Sequence, residues 1–269
     1  MKSAIKVLKE QIESFYLVRR LSLYELKSQN NNNYLGLFWE ILNPGIQIAI
    51  YWFVFGFIIR GGREAANGVP FFPWLLSGII LWFFIQPSIV QGSKSIYSRI
   101  RMISKMSFPL SVIPTYVIFS KLYPHIFLLG FTIVVLQFMG FPVSIYYLQL
   151  PYFLFATVAL LVSISLVTST LATIVRDVQM VVQSLMRMLL YLTPILWVSM
   201  SLPGPIKTIM KLNPLYYLVE GYRAALLGQE WYIITEYQLT IYFWAVVIFL
   251  YILGSSIHVK FRRHFVDFL

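Results

Sequence analysis

The chain of 269 residues is 59% hydrophobic and only 12% charged, with a mean hydropathy of +0.74. Soluble domains are about half apolar and about a quarter charged, so this composition excludes a single water-soluble core and indicates a membrane protein. The net charge of +11 would suggest a nucleic-acid partner in a soluble protein. Here the basic residues lie between apolar runs, where they orient a membrane protein, so no nucleic-acid partner is expected. The absence of cysteine excludes disulfides and thiolate metal sites.

The first 33 residues combine a basic amphipathic pattern with a polar linker. Residues 4–28 mix apolar side chains with Lys and Arg, a pattern typical of a helix that lies on the membrane surface. Glu10 and Glu13 interrupt any apolar core, which argues against a cleaved signal peptide. Four asparagines at 30–33 then favour a turn. We therefore expect a cytoplasmic amphipathic interface helix and linker over residues 1–33.

Residues 34–269 are predicted to form one all-α integral membrane domain. Their apolar runs approach the roughly 20 residues that a helix needs to cross the bilayer, and they are too continuous for the strands of a barrel. Six transmembrane helices are predicted, over residues 36–60, 71–93, 112–139, 147–174, 177–200 and 234–257. Six crossings place both termini on one side, and the excess of Lys and Arg on that side predicts that both termini are cytoplasmic.

The connection between the second and third spans, residues 94–108, is richer than a plain loop. Ile96, Ile100 and Ile103 recur at helical spacing among Lys and Arg residues. The segment could therefore form a short helix that docks on a partner. Its basic residues could instead serve only to orient the chain in the membrane.

The connection between the last two spans, residues 201–233, contains three prolines and apolar stretches too short to cross the membrane. Segments of this kind can dip into the membrane and return where protein or water covers their backbone. We therefore predict an external re-entrant helical hairpin.

Four motifs stand in a set order along the chain. They are YLGLFWEILNP at 34–44, the basic segment 94–109, Arg176-Asp177, and LNPLYY at 212–217 followed by Glu220 and Arg223. In this order and spacing they resemble the polysaccharide-export branch of the ABC-2 type permeases, over essentially the whole chain. Within that branch, WFVFG at 52–56, IRGG at 59–62 and the compact length look most similar to the wall teichoic acid permeases of Gram-positive bacteria. O-antigen and capsule permeases are close alternatives.

The resemblance implies a permease of the bacterial plasma membrane that moves a lipid-linked polysaccharide from the cytoplasmic to the outer face, with wall teichoic acid as the expected cargo and O-antigen or capsular polysaccharide as the alternative. Such permeases work as homodimers, and each of the two copies binds a separate ATPase subunit. ATP and Mg would be bound by that ATPase, and no cofactor is expected in this chain. The sequence agrees, because it contains no G-x-x-x-x-G-K-[ST] phosphate loop.

No metal site or enzymatic activity is expected in this chain. His125, His258 and His264 lack metal-ligand spacing, and neither a nucleophilic triad nor a pair of catalytic carboxylates is evident.

Three groups of candidate site residues follow, and each has a simpler structural alternative. The ATPase-coupling group, which the resemblance seats in a groove of the ATPase, comprises Ile96, Arg99, Ile100, Arg101, Ile103 and Lys105. The substrate-path group comprises Arg19, Arg20, Glu40, Tyr51, Phe55 and Arg187. The external-gate group comprises Tyr216, Tyr217, Glu220 and Arg223.

The charged members of the path group have two interpretations. Arg19 and Arg20 could bind a lipid pyrophosphate, since guanidinium groups match phosphate oxygens in a bidentate fork, or they could only anchor the surface helix. Glu40, Arg187 and also Lys121 lie inside predicted spans, where ionisable residues are costly and usually face the bundle interior or water. They could line the path or form stabilising pairs.

The aromatic and external candidates are equally open. Tyr51 and Phe55 share a helix face and could stack on sugar rings, although core packing is the simpler interpretation. Glu220 and Arg223 stand three residues apart and could pair within one helix or gate the outer mouth.

Two other classes of function remain open from the sequence. A membrane-embedded glycolipid transferase or acyltransferase would cluster Asp, Glu or His at one membrane depth, but the ten acidic residues are dispersed. An exporter of small drugs or lipids from the same superfamily would share the ATPase docking but lack the compact polysaccharide-type motifs.

Overall fold

The computed structural model describes residues 1–30, 34–65, 68–99, 109–198, 203–262 and 265. Helices account for most of these residues, and no β-strand occurs among them. The prediction of an all-helical chain is therefore confirmed.

The α-helices are numbered in chain order. They are α1 (Lys2–Glu13), α2 (Phe15–Asn30), α3 (Trp39–Tyr51), α4 (Phe71–Ser93), α5 (Val112–Phe138), α6 (Leu150–Ile174), α7 (Asp177–Leu192), α8 (Gly204–Lys211), α9 (Pro214–Leu226), α10 (Tyr232–Thr235) and α11 (Tyr237–Phe261). Short 3-10 helices cover Gly36–Phe38, Tyr97–Arg99 and Ile145–Gln149, and a π-helix over Trp52–Ile59 continues α3.

Five helical segments of the described part are long and apolar enough to cross a membrane. They correspond to the first four and the sixth of the predicted spans, and they are Trp39–Ile59, Phe71–Ser93, Val112–Phe138, Ile145–Ile174 and Tyr237–Phe261. These lengths fit a multi-pass membrane protein.

The predicted fifth span, residues 177–200, is shorter in the structure. Helix α7 ends at Leu192 after 16 residues, which cover about 24 Å at 1.5 Å per residue, against a hydrocarbon core of about 30 Å. The residue before a proline is disfavoured in the helical region, and Thr193, which precedes Pro194, is extended with ψ of 141°. The described residues therefore do not establish a sixth crossing.

Helix α4 lies at the centre of the bundle. Its side chains are buried along nearly the whole helix, and it packs against α5, α6, α7 and α9. Lipid tails are as apolar as these side chains, so close packing and hydrogen bonds, more than the hydrophobic effect, hold such helices together.

The span formed by α3 and its π-helix is much less covered. Only 11% of an 18-residue apolar stretch of this span is buried inside the bundle. The large side chains Ile46, Ile50, Phe53 and Phe57 are exposed, so this span leaves an apolar face open to lipid or to a partner.

The interface helix predicted over residues 4–28 consists of two helices, α1 and α2, which meet at Ser14. Serine is a weaker helix former than the residues around it, and the two helices dock on different partners. Helix α1 packs on α11, and α2 packs on α5. Ile5, Ile12 and Phe15 stay exposed, as expected for a surface that contacts the bilayer.

Two short helices, α8 and α9, occupy the region predicted to be a re-entrant hairpin. With 8 and 13 residues, both are too short to cross the membrane. Asn213 caps α9, because its side chain accepts a hydrogen bond from the Leu215 N–H at 3.0 Å and Pro214 starts the helix. Helix α9 is almost wholly buried, whereas α8 is not. That this pair enters the membrane from outside and returns stays a prediction.

Candidate functional site

A charged pair ties the connection after α4 to helix α2. The Arg99 guanidinium pairs with the Glu25 carboxylate, and each side chain is only 18% exposed. Arg99 also donates a hydrogen bond to the Ser95 carbonyl at 3.5 Å, and its guanidinium carbon lies 5.8 Å from the centre of the Tyr116 ring. Arg99 is predicted to meet an acidic rim of an ATPase, and in the structure it already has an acidic partner within its own chain.

Ile96 is fully buried next to this pair. It packs with Val18 of α2 and with Val112 and Ile113 at the start of α5. The sequence places Ile96 on a face that docks on a partner, but in this conformation its surface is covered by its own chain. Residues 94–99 form turns and one 3-10 helix in place of the predicted α-helix.

The other four coupling candidates cannot be placed, because they lie outside the described residues. They are Ile100, Arg101, Ile103 and Lys105.

A second polar network links α2 to the membrane-spanning helices. The Lys121 ammonium, in a side chain that is 8% exposed, donates to the Gln29 side-chain oxygen at 2.6 Å. The Gln29 amide nitrogen donates to Glu25 at 2.9 Å and to Gln91 at 3.3 Å. Sequence reasoning missed this role of Gln29, because the residue stands beside the asparagine run at 30–33, which is predicted to form a turn.

The residues predicted for the substrate path are not gathered into one site. Arg19 and Arg20 are exposed on α2, and Arg187 is exposed on α7. The Tyr51 and Phe55 rings meet edge to face with centres 6.4 Å apart, and both pack on the core.

Glu40 lies in a different place from these side chains. It stands at the start of α3 and lines a cavity of about 190 Å³ between α3, α4 and α5, together with Lys121. The two ionisable groups that the sequence marks inside the first and third spans therefore share one cavity.

Arg223, a predicted gate residue, is one of the most buried charges among the described residues, with 2% exposure. Its guanidinium pairs with Glu220 and donates to the Pro194 carbonyl at 3.0 Å and to the Trp74 carbonyl at 3.3 Å. Its central carbon lies 3.8 Å from the centre of the Trp74 ring. Arg223 thus anchors α9 to α4 and to the chain that follows α7. The pairing of Glu220 with Arg223 follows the expectation from their spacing.

The two predicted gate tyrosines are buried as well. Tyr216 is 4% and Tyr217 is 2% exposed, and the Tyr217 hydroxyl lies 3.0 Å from the Tyr152 hydroxyl and 2.9 Å from the Thr240 hydroxyl. The gate candidates therefore form a packed cluster in this conformation and do not line an open outer mouth. Whether they gate transport stays a prediction.

Glu10 of α1 links this helix to the segments that adjoin α5 and α11. Arg262, just after α11, donates to one of its carboxylate oxygens at 2.7 Å, and Ser111, just before α5, donates to the other at 2.6 Å. Burial by itself would raise the pKa of the Glu10 carboxyl, but these hydrogen bonds and the charges of Arg262 and Lys6 lower the pKa below its ordinary value of 4.5.

This arrangement predicts a loss of stability in acid. A carboxyl whose pKa is lower in the folded state stabilises the fold above its ordinary pKa, and this contribution disappears as the pH falls through the lowered value. In detergent, the thermal unfolding temperature should therefore fall as the pH drops below 4.5, and Glu10→Gln should flatten that dependence. Glu13→Gln is the matched control, because Glu13 is 63% exposed and forms only a solvent-exposed pair with Lys9. An identical pH profile for Glu10→Gln and the unaltered chain would contradict the assignment.

Comparison with known proteins relates the whole arrangement to one family. The family model of the ABC-2 type transporter matches residues 16–227. Among curated proteins, the chain is similar to the O-antigen export system permease protein RfbA of Myxococcus xanthus, with 24% identity over 230 residues, 82% of this chain and 84% of that protein. It is also similar to two proteins of the same name from Klebsiella pneumoniae, with 26% and 25% identity over 246 residues, 91% of this chain and 92% of each relative.

Proposed function

Because the chain belongs to the ABC-2 type transporter family, we propose that it is the permease subunit of an ATP-driven exporter that moves a lipid-linked polysaccharide across the bacterial plasma membrane. The observation that carries this proposal is the similarity to O-antigen export permeases over most of both chains. Hydrolysis of ATP belongs to a separate ATPase subunit, since the sequence has no phosphate loop.

Two cargo classes are candidates, an O-antigen-type polysaccharide and wall teichoic acid. The names of the relatives support the first. The motifs at 52–56 and 59–62 support the second, but part of them has a structural explanation. Gly61 and Gly62 have φ values of 62° and 79°, a region that glycine enters without steric cost. Because backbone geometry explains these glycines without reference to cargo, the O-antigen class has the stronger support.

A homodimer with two ATPase copies is part of the proposal. Uncovered apolar faces lie on several described helices, among them the first span and α7. The exposed side chains of the first span include Ile46, Ile50, Phe53 and Phe57. Those of α7 include Met180, Leu185, Met188 and Tyr191. A second copy would cover such faces and enclose a path between the protomers.

The proposed orientation places both termini in the cytoplasm. Lys and Arg are concentrated on the terminal side, and a sixth crossing formed by α7 and the residues after it would bring both ends to that side. Helices α1 and α2 and the connection after α4 would then face the ATPase subunits, and α8 with α9 would form a re-entrant pair on the outer side.

The test is ATP turnover by the reconstituted complex. The chain is co-expressed with an adjacent ATPase, placed in liposomes and assayed with lipid-linked O-antigen precursor and lipid-linked teichoic acid precursor in parallel. Faster ATP turnover with the O-antigen precursor alone supports the assignment, whereas a response to the teichoic precursor alone transfers it to wall teichoic acid. A complex that hydrolyses ATP and responds to neither contradicts the polysaccharide cargo.

A further inference from the structure

Polar residues from three neighbouring membrane helices converge on the cavity between α3, α4 and α5. On α3, Glu40, Asn43 and Gln47 stand at i, i+3 and i+7, so they share one helix face. Gln86 of α4 with Lys121 and His125 of α5 complete the polar wall. Polar side chains inside membrane spans are costly and usually line a binding site or a hydrated path, so this convergence calls for a polar occupant.

Each of the three helices also carries an interior proline in the wall of this cavity. These are Pro44 in α3, Pro87 in α4 and Pro124 in α5. Proline has no N–H, so the carbonyl four residues earlier loses its usual helical partner. That carbonyl belongs to Glu40, to Phe83 and to Ser120, respectively. In a membrane these acceptors need another donor, which water, a side chain or a ligand must provide.

The balance of charge and hydrogen-bonding groups limits what the cavity can bind. Its wall contains one ammonium group, on Lys121, and one carboxylate, on Glu40, so it has little net attraction for a multiply charged phosphate. The side-chain amides of Asn43, Gln47 and Gln86 add several acceptors and donors to the wall. A ligand with several hydroxyl groups, each able to donate and accept, matches such a wall.

The size and the remaining wall residues fit a single sugar ring. A volume of about 190 Å³ has room for several water molecules, which suits one sugar ring but not an extended chain. Trp39 and Phe83 add aromatic surface to the wall. Pockets of this kind, with apolar surface and a few placed polar groups, are typical ligand sites.

The position of the cavity favours the sugar nearest a lipid anchor. Lys121 is held by Gln29 of the surface helix α2 at 2.6 Å, and Glu40 is the second residue of α3. The cavity therefore lies in the part of the bundle next to α2, the helix whose sequence pattern is typical of a membrane surface.

We propose that this cavity binds one neutral sugar unit close to the lipid anchor of the exported polymer, through the hydroxyl groups of that sugar. The proposal rests on the proposed function for the source of the sugar, but the site itself can be tested without transport. Asn43 is exposed to solvent or lipid and lines the cavity, so it offers a reporter position.

The natural absence of cysteine makes Asn43→Cys a single-cysteine reporter. The full chain is placed in phospholipid nanodiscs free of sugar detergents, and the rate of reaction with N-ethylmaleimide is measured with octyl glucoside below its micelle concentration. Octyl phosphate is the anionic probe, and the octyl ether of tri(ethylene glycol) lacks the sugar hydroxyls. We expect octyl glucoside to slow the labelling and the other two compounds to have little effect. Gln137→Cys, on an exposed position of α5, should label at an unchanged rate in every case.

A second substitution in the reporter chain tests the hydrogen bonding. Adding Gln86→Leu should raise the octyl glucoside concentration needed for half-protection about tenfold, the equivalent of 1.4 kcal/mol, while Gln137→Leu should leave it unchanged. The proposal would be overturned if the ether protected residue 43 as well as octyl glucoside does, or if octyl phosphate protected it better. It would also be overturned if Gln86→Leu left protection by octyl glucoside unchanged. Because Gln86→Leu could disturb folding, Leu128→Phe is added, which narrows the cavity without removing a polar group and should also weaken protection.

The two proposals fail separately. If a polysaccharide precursor stimulates ATP turnover but octyl glucoside never protects residue 43, the sugar site is wrong and the export function stands. If protection is seen but neither precursor stimulates turnover, the site stands and the assignment of its sugar to an exported polymer is wrong.

Discussion

Replacing Arg223 with methionine should destabilise the purified protein by about 3–5 kcal/mol, because removing one partner of a buried pair leaves the other charge uncompensated. Glu220 would lose its cation, and the carbonyls of Trp74 and Pro194 would lose the donors described above. The unfolding temperature in detergent, measured as the loss of the monodisperse size-exclusion peak after heating, reports the effect. The contact between α9 and α4 should then loosen, since Arg223 donates the hydrogen bond to the Trp74 carbonyl that joins them.

Gly78 provides an independent check on the same contact. A Cβ atom at this position would lie 2.5 Å from a terminal nitrogen of the Arg223 guanidinium, so Gly78→Ala should displace that group and lower the unfolding temperature. Gly130→Ala is the control, because nothing lies within 4 Å of its added Cβ. In the helix interior that control should be neutral or slightly stabilising, since alanine is favoured over glycine by about 1 kcal/mol. Equal unfolding temperatures for the two alanine variants would contradict the packing of Arg223 against α4.

Charge reversal at the Glu25–Arg99 pair should uncouple ATP hydrolysis from transport. Either Glu25→Arg or Arg99→Glu places like charges at a contact where both side chains are largely buried, which repels α2 from the connection after α4. We expect at least a tenfold loss of precursor-stimulated ATP turnover in the reconstituted complex for each single variant. Because Lys9 and Glu13 form an exposed pair, Lys9→Glu should change turnover little.

The double variant that exchanges the two charges separates two roles of Arg99. If the internal pair is what matters, the exchange restores turnover, because the attraction returns with its direction reversed. If Arg99 instead binds an acidic rim of the ATPase, the exchange restores the internal contact but not turnover. Full turnover in both single variants would show that neither role is needed.

The positions of the long helices could be predicted from the sequence because each is a long and predominantly apolar segment. The second predicted span, 71–93, has the bounds of α4, and the third, 112–139, differs from α5 by one residue. The helix of the fifth ends at Leu192, before the predicted bound, because Pro194 follows inside an apolar stretch, and hydropathy alone does not record backbone geometry.

The sites were harder to predict, because they depend on contacts between distant parts of the chain. Arg223 and Trp74 are 149 residues apart, so spacing could suggest the local pair with Glu220 but not the anchor on α4. The sequence marks Glu40 and Lys121 each as a costly charge inside a predicted span. That they face one cavity depends on how α3 and α5 are rotated about their axes, which is set by packing across the bundle.

The contact between Glu10 and Arg262 also sets an order for biosynthesis. The two residues are 252 positions apart, and a ribosome that adds about 5–20 residues per second needs roughly 13–50 s to make the second after the first. Throughout that interval helix α1 lacks both α11 and the arginine that holds it. Its amphipathic surface therefore remains at the bilayer while the spans insert, and its docking on the bundle is completed only after the ribosome has made α11 and Arg262.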